Sequence, residues 1–395
     1  MKIAILGPIH TEDLNTVIRK KDILSLPKDN HVSILAQIVL GLLELDHHVS
    51  IITLSKSVNK KITIYKNKKL TIYYCPERKS TFRFNNGSIG KAVDFWYHEI
   101  KFLKQAIQLD KPDIINAHWI YEYAFAAIFS KEKYLITTRD IPHKIFKYQT
   151  TLYRLIRFIM GCISLMIAKN INAASYYAKH ETQKYTNTTI KVIPNCLRKD
   201  VSELKIIKKK LSKKLRVVMV NNGFSDYKNI KIALKAFKKF NKNFSSSNLT
   251  LYGIEMGRNG ICHNWAKKNS LTNNVIFFGP LVQKNLIKIL DKYDILLHTS
   301  LEESFGNIFI ESMVRGVPVI AGKNTGAAPE IIKRNGLLVD VTDIGKIVNG
   351  LKRYSSNPKF WSKIRDKAYK NAKKKYHYKI IIKKYLALYK KILKK

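Results

Sequence analysis

The chain of 395 residues has few cysteines and few acidic residues. Its four cysteines, Cys75, Cys162, Cys196 and Cys262, form no short-spaced pair, which argues against a disulfide framework or a zinc cluster and fits a reducing compartment. Asp and Glu number 28 against 72 Lys and Arg, so the formal net charge is +44. Such a charge attracts polyanions, whether nucleic acid or anionic lipid. A lysine-rich composition gives the same charge without selection for binding, so charge alone assigns no function.

Long apolar runs are missing as well. The run after Met1 is too short for the core of a signal peptide, and the run 158–168 is shorter than the about 20 residues that cross a bilayer. We therefore expect a cytoplasmic protein without a transmembrane helix. The sequence has no zinc-finger or RNA-recognition signature, no G-x-G-x-x-G near Gly7 and no convincing D-x-D pair. We expect no specific nucleic-acid partner, no metal and no cofactor.

Apolar strands alternate with amphipathic helices along the whole chain. The first half predicts strands at 2–7, 49–54, 113–117 and 135–138, and helices at 31–45, 94–109 and 153–169. The second half predicts strands at 216–221, 249–253, 275–279 and 294–300, and helices at 229–241, 261–269 and 286–292. This order predicts parallel sheets flanked by helices, hence an α/β protein with two Rossmann-like, doubly wound domains. Ligands in such sheets bind beyond the carboxyl ends of the strands.

The most informative stretch is 302–332. Gly306 permits a tight turn after a buried strand, and residues 307–315 follow as a helix. The N-terminus of that helix offers unpaired N–H groups and a partial positive charge, which suit a phosphate. Glu303 lies in the preceding loop, and Glu311 lies one turn inside the helix, where a carboxylate accepts hydrogen bonds from ribose hydroxyls. The alternative is an ordinary strand–helix–strand unit with two solvated glutamates.

Ser-Phe-Gly lies between these glutamates, and Arg-Gly-Val-Pro-Val-Ile follows them. In this the stretch resembles the E-x7-E motif of the family 4 retaining glycosyltransferases (glycosyl transferases group 1), which adopt the GT-B fold. The resemblance implies that Glu303 contacts the donor sugar and Glu311 the ribose. The turn and helix start that would hold the nucleotide diphosphate are Ser304, Phe305, Gly306, Asn307 and Ile308.

A second resemblance covers residues 112–119, which read Pro-Asp-Ile-Ile-Asn-Ala-His-Trp. They are similar to the family's P-D-x-I-H-x-H motif, with Asn116 in place of the first histidine and His118 in place of the second. The resemblance implies that His118 hydrogen-bonds a hydroxyl of the donor sugar. Asp140, after the next strand, stays open between a contact to the acceptor and a contact to the sugar.

Residues 221–229 resemble the family's Gly-Arg…Lys-Gly segment, whose basic residues neutralise the diphosphate. Lys228 matches the lysine. The arginine is absent, and Asn222 or Gly223 stands near its place. The three residues that the resemblance assigns to catalysis are therefore His118, Glu303 and Lys228.

The resemblance covers nearly the whole chain and implies the domain plan of GT-B proteins. Residues 1–200 would form an acceptor-binding domain, completed by the C-terminal helix 378–395. Residues 201–377 would form the nucleotide-sugar-binding domain across a cleft. Loops 8–30 and 76–92 would recognise the acceptor.

The function implied is a retaining transfer of sugar from a nucleotide-diphosphate sugar to a saccharide or lipid-linked acceptor, in surface polysaccharide biosynthesis. An epimerase or hydrolase of sugar nucleotides on the same fold and a basic nucleic-acid-binding protein are the alternatives. Basic helices around 153–169 and 380–395 are compatible with a peripheral position on the anionic inner face of the plasma membrane.

Overall fold

The computed structural model describes residues 1–27, 34–83 and 89–394. The predicted loops 8–30 and 76–92 and the predicted helix 31–45 therefore lie partly outside the described residues. The chain divides into two compact units. The first unit comprises Met1–Arg198 together with Tyr378–Lys395, and the second comprises Lys199–His377.

The strands are, in chain order, β1 (Lys2–Leu6), β2 (His48–Ser55), β3 (Thr63–Asn67), β4 (Leu70–Pro76), β5 (Ile114–His118), β6 (Tyr134–Thr138), β7 (Ile171–Ala173), β8 (Lys191–Val192), β9 (Arg216–Val220), β10 (Asn248–Tyr252), β11 (Val275–Gly279), β12 (Ile295–His298), β13 (Val319–Gly322) and β14 (Gly336–Val339). The helices are α1 (Lys20–Ser25), α2 (Ile34–Glu44), α3 (Tyr97–Asp110), α4 (Glu122–Ile128), α5 (Pro142–Tyr148), α6 (Leu152–Ile167), α7 (Tyr176–Gln183), α8 (Lys199–Ser202), α9 (Ile230–Asn241), α10 (Ile261–Lys268), α11 (Gln283–Ile289), α12 (Asn307–Val314), α13 (Ala328–Ile332), α14 (Ile344–Ser355), α15 (Pro358–Tyr376) and α16 (Tyr378–Leu393). Short 3-10 turns span Thr11–Leu14, Asp226–Lys228 and Leu290–Lys292.

The first unit is built on an eight-stranded sheet in the order β3-β4-β2-β1-β5-β6-β7-β8. Its strands are parallel except β3, which pairs antiparallel with β4 at the edge. Side chains alternate across the central strand β1, because Ile3 and Ile5 belong to one core and Ala4 and Leu6 to another. The sheet thus has an apolar core on each face, which is the arrangement of a doubly wound fold.

The last helix of the chain, α16, closes one of these cores. Its buried side chains pack with those of α2 and β1. Tyr389 Oη accepts a hydrogen bond of 2.6 Å from Asn116 Nδ2 on β5, so the helix is joined to the central sheet by a polar contact as well. Residues of the first and last segments of the chain therefore share one core.

The second unit has a six-stranded parallel sheet in the order β11-β10-β9-β12-β13-β14. Val217 and Met219 of β9 and Phe237 of α9 are fully buried in a core on one face of this sheet. Two parallel, doubly wound α/β units confirm the fold class predicted from the sequence.

Local boundaries differ from the predictions where the backbone turns. The helix predicted at 94–109 begins at Tyr97, because Phe95 and Trp96 adopt positive φ angles of 52° and 61°. The helix predicted at 286–292 begins earlier, at Gln283, and ends in a 3-10 turn. None of the helices in the described parts of the chain combines the length and the apolarity that crossing a bilayer requires.

Candidate functional site

Each sheet has a point where the order of its strands reverses, and polar residues follow the strands there. In the second unit the reversal lies between β9 and β12, and in the first unit between β1 and β5. Crevices open at the carboxyl ends of the strands at such points. The segments that leave β9 and β12 carry Lys228 and Glu303, and β5 ends at His118. The topology therefore brings the predicted residues to the edges where ligands bind in α/β sheets.

Lys228 and Glu303 form an ion pair, although they are 75 residues apart in the sequence. The Lys228 ammonium lies 2.9 Å from Glu303 Oε1, and His298 Nε2 lies 3.2 Å from the same oxygen. Backbone contacts fix both segments, since Leu301 N donates to Tyr227 O at 2.7 Å and Ala327 N donates to Glu303 O at 2.9 Å. The two predicted residues thus meet, and His298 joins them.

The ion pair sets the charge state of both partners. Burial alone would raise the pKa of Glu303, but the charge of Lys228 and the hydrogen bonds from His298 and Lys228 bring it down to about 2. Burial alone would lower the pKa of Lys228, and the Glu303 carboxylate outweighs this and raises it. At neutral pH the site therefore holds one full positive and one full negative charge with little exposed surface.

The turn before α12 is a position that requires glycine. Gly306 has φ of +80°, and a Cβ there would collide with the ring of Phe309. Phe305 is buried in an edge-to-face contact with Tyr376, and Phe309 makes the same kind of contact with His298 at 4.8 Å between ring centroids. These contacts fix the direction in which the N-terminus of α12 points. In that first turn Phe309 N donates to Gly306 O at 3.0 Å, and the helix start carries a partial positive charge.

Glu311 is 6% exposed, on the second turn of α12. The side-chain amide of Gln283, at the start of α11, donates to Glu311 Oε1 at 2.5 Å. Gln283 therefore holds one carboxylate oxygen in a set direction. Glu303 and Glu311 stand at opposite ends of the same turn and helix start, as the sequence pattern predicts.

His118 lies in the first unit and is completely buried. Its Nδ1 accepts hydrogen bonds from Arg139 Nη2 at 2.9 Å and from Arg139 Nε at 3.2 Å. Burial and the positive charge of Arg139 lower the pKa of His118 well below its usual value, so the ring is neutral. Because arginine only donates, the single ring proton sits on Nε2. That nitrogen has no hydrogen-bond partner among the described residues.

At the position where the resembled family has an arginine, this chain has the uncharged residues Asn222 and Gly223. The Asn222 side chain accepts a hydrogen bond from Ile254 N at 3.3 Å, and Gly223 has φ of +91°. Asp140, in the first unit, is enclosed by aromatic and basic side chains, and burial raises its pKa. The described residues contain no group of His, Cys, Asp and Glu side chains suited to a metal ion.

Three polar residues of the site were missed by sequence reasoning: His298, Gln283 and Arg139 as the partner of His118. His298 is the last residue of β12, so its place at a strand end next to the reversal was a usable signal. Gln283 contacts Glu311, 28 residues away, and Arg139 contacts His118, 21 residues away. No local sequence pattern predicts contacts over such separations.

Curated proteins similar to this chain match part of it. Over 119 residues it is 31% identical to an uncharacterized 41.2 kDa protein in the cps region of Klebsiella pneumoniae, a match that covers 30% of this chain and 32% of that protein. Over 257 residues it is 24% identical to N-acetyl-alpha-D-glucosaminyl L-malate synthase of Bacillus anthracis, covering 61% of this chain and 65% of that protein. The chain therefore spans less than two thirds of the length of these two relatives.

Solved structures match the whole chain. Sucrose-phosphate synthase from Thermosynechococcus elongatus superposes with a TM-score of 0.76 at 14% identity and covers 99% of each chain. HepE from Anabaena, in complex with UDP and glucose, superposes with a TM-score of 0.70 at 15% identity, over 98% of this chain and 99% of that one. At such identities the likeness shows the fold, which is GT-B. Residues 200–375 match the family model described as Glycosyl transferases group 1, which confirms the resemblance to group 1 glycosyltransferases for that part of the chain.

Proposed function

Taking residues 200–375 as a group 1 glycosyltransferase domain, we propose that this chain moves a sugar from a nucleoside-diphosphate sugar to a saccharide or a lipid-linked saccharide, with retention at the anomeric carbon. The observation that carries the proposal is the paired Lys228 and Glu303 beside the glycine turn that starts α12. The cation and the helix N-terminus would stabilise the leaving diphosphate, and the carboxylate would accept hydrogen bonds from the sugar.

The proposed reaction is a front-face displacement. The bond between the anomeric carbon and the β-phosphate oxygen breaks, and the acceptor hydroxyl oxygen bonds to the anomeric carbon from the same side. The hydroxyl proton passes to the departing phosphate oxygen. Lys228 and the first turn of α12, from Gly306 to Ile308, stabilise the negative charge that builds up on the diphosphate.

Donor binding divides between the remaining residues. Glu311, held by Gln283, accepts hydrogen bonds from the ribose hydroxyls. Glu303, which stays ionised because of Lys228, accepts hydrogen bonds from the sugar. His118 donates from Nε2 to a sugar hydroxyl, and Arg139 holds it in that tautomer.

Uridine is the proposed base, and surface glycan biosynthesis the proposed setting. HepE was crystallised with UDP and glucose, which supports the base. The similar Klebsiella pneumoniae protein in the cps region supports the setting. We also propose that the chain works in the cytoplasm, at the inner face of the membrane, where it would meet a lipid-linked acceptor.

The test is thermal unfolding of the full chain with UDP-, GDP-, ADP- and CMP-sugars. A sugar nucleotide at 100 times its Kd adds about 2.7 kcal/mol of stability. We expect one nucleotide to raise the Tm of the wild type and of the control Glu203→Ala, which alters an exposed glutamate, but not of Glu311→Ala. No rise with any nucleotide would overturn the donor site, and a large salt-sensitive rise with nucleic acid would favour a nucleic-acid-binding protein.

A turnover experiment separates the transferase from its alternative on the same fold. We expect release of nucleoside diphosphate to require a saccharide acceptor and the product to keep the anomeric configuration of the donor. Donor turnover at full rate without any acceptor would identify an epimerase or hydrolase instead.

A further inference from the structure

Helix α6 is apolar on two opposite faces. One face, which includes Met160, Ser164 and Leu165, is buried against α4, α5 and the segment after β5, where Ser164 Oγ donates to Ile120 O at 2.5 Å. The other face is a row of exposed side chains, here named the α6 stripe: Leu152 (63% exposed), Leu155 (37%), Ile159 (40%), Ile163 (44%) and Met166 (70%). They recur every three or four residues, so they form one row about 21 Å long.

Such a row is unusual on a protein surface. Single exposed apolar residues are normal, whereas contiguous ones mark a surface that binds something. Helix α16, the other basic helix considered from the sequence, has no comparable row. Its residues Ile381, Ile382, Tyr385 and Tyr389 are buried in the core and leave mainly lysines outside. The unpartnered apolar face is therefore on α6.

The segment of sequence that contains α6 is strongly basic, although the charge of Arg157 is balanced by Glu122. Residues 141–190 contain one acidic residue, Glu181, against seven basic ones, namely Lys144, Lys147, Arg154, Arg157, Lys169, Lys179 and Lys184. Glu181 is already engaged by His143 and Lys184. Lys147 and Lys169, close to the two ends of α6, are exposed and make no salt bridge with any described residue.

We infer that the α6 stripe is the surface by which this chain docks on an anionic lipid bilayer. The apolar side chains enter the boundary between headgroups and acyl chains, and Lys147 and Lys169 approach the lipid phosphates on either side. A second copy of the chain is a poorer occupant, because two surfaces of the same positive charge would face each other. An acidic bilayer matches both the apolar row and its basic flanks.

Docking through α6 bears on the proposed reaction. Arg157 of α6 forms an ion pair with Glu122 and lies 3.6 Å above the ring of Tyr121, at the segment that leaves β5. The helix is thereby fixed next to the strand ends of the first unit, which suits an acceptor that arrives from the bilayer. Only this link rests on the proposed function, since vesicle binding requires no sugar transfer.

The experiment is flotation of the full chain with vesicles of phosphatidylcholine, alone or with 3 parts in 10 of phosphatidylglycerol. We expect binding to the anionic vesicles and little to the neutral ones. In Ile159→Gln/Ile163→Gln the apparent affinity should fall about tenfold or more, because two inserting side chains become polar. Lys147→Gln/Lys169→Gln should weaken binding and reduce its salt dependence. The matched control is Ile64→Gln/Leu109→Gln, two exposed apolar residues of the same unit outside the stripe.

Equal binding of the stripe variant and the control would overturn the inference, as would equal binding to the two kinds of vesicle. Light scattering tests the other occupant. A dimer of the wild type that Ile159→Gln/Ile163→Gln separates, together with no vesicle binding, would make the stripe an interface between copies. Far-UV circular dichroism and an unchanged Tm establish that each variant is folded. Donor-induced stabilisation of the same variants, measured in parallel, keeps a failure of docking distinct from a failure of the donor site.

Discussion

Replacing Lys228 by methionine tests the ion pair at the centre of the site. Methionine keeps the length and much of the volume of the lysine but removes its charge. Glu303 would then be a largely buried carboxylate whose remaining partner at that oxygen is His298. Leaving one charge of such a pair unbalanced is destabilising. We expect the variant to lose stability at neutral pH and to lose less of it in acid.

The magnitude follows from the pKa of Glu303. The pKa falls from its usual 4.5 to about 2, which at about 1.4 kcal/mol per pKa unit corresponds to about 3 kcal/mol. Because the pKa is depressed in the folded protein, this stabilisation is complete above pH 4.5 and is lost as the pH falls towards 2. Lys228→Met should therefore be less stable than the wild type by about 3 kcal/mol at pH 7. The difference should shrink by about 1.4 kcal/mol for each pH unit below 4.5.

The assay is urea unfolding at pH 7, 4 and 3, followed by tryptophan fluorescence, since the difference should shrink only below pH 4.5. The double variant Lys228→Met/Glu303→Gln should recover part of the stability, since it removes both charges. The control is Lys231→Met, which breaks the exposed ion pair with Asp226 and should change stability by less than about 1 kcal/mol. A loss in Lys228→Met that is the same at every pH, or a double variant less stable than the single one, would refute the reasoning.

Three further outcomes are expected. Glu311→Ala should raise the donor KM at least tenfold while the Tm without ligand changes little, and unaltered kinetics would contradict the ribose assignment. Gly306→Ala should cost about 1–3 kcal/mol in urea unfolding, because φ of +80° and the ring of Phe309 both exclude a Cβ, and a stability equal to that of the wild type would contradict it. The pH profile of kcat/KM should show no inflection from His118 near pH 6.5, because burial and Arg139 lower its pKa, whereas Arg139→Met should move an inflection up towards that pH. A wild-type inflection near 6.5 that His118→Gln abolishes would show that the ring is not held neutral.

The strands of the sheets were predictable because a buried strand is marked by a short apolar run in the sequence itself. A strand inside a parallel sheet is covered on both faces, so an apolar run such as 294–300 predicts a strand from its sequence alone. The turn at Gly306 was predictable for the same reason, because a glycine between a strand and a helix marks a tight turn. Helices with few apolar residues, such as α15 with its many lysines, were not predicted, since their apolar faces are narrow.

The site was predictable by position but not by contact. Motif spacing identified Glu303, Glu311 and Lys228, and the fold brings their segments to one strand reversal. Which side chains bond to each other depends on packing between segments far apart in the sequence. The hydrogen bond from Gln283 to Glu311 arises in this way, from the approach of α11 to α12. Hydrophobic periodicity predicts which side of a helix or strand is buried, but not which polar side chain lies against it.

Because α16 follows the second unit in the sequence, the core of the first unit is completed late in synthesis. The ribosome makes the first 198 residues and then all of the second unit before the helix that completes the first core appears. At about 5–20 residues per second this interval lasts about 10–40 seconds. During that time the groove that will receive Ile381, Ile382 and Tyr385 stays uncovered, while the second unit already has its whole sequence. The unit that is synthesised first is thus the unit whose core is completed last, because that groove stays open until α16 has been made.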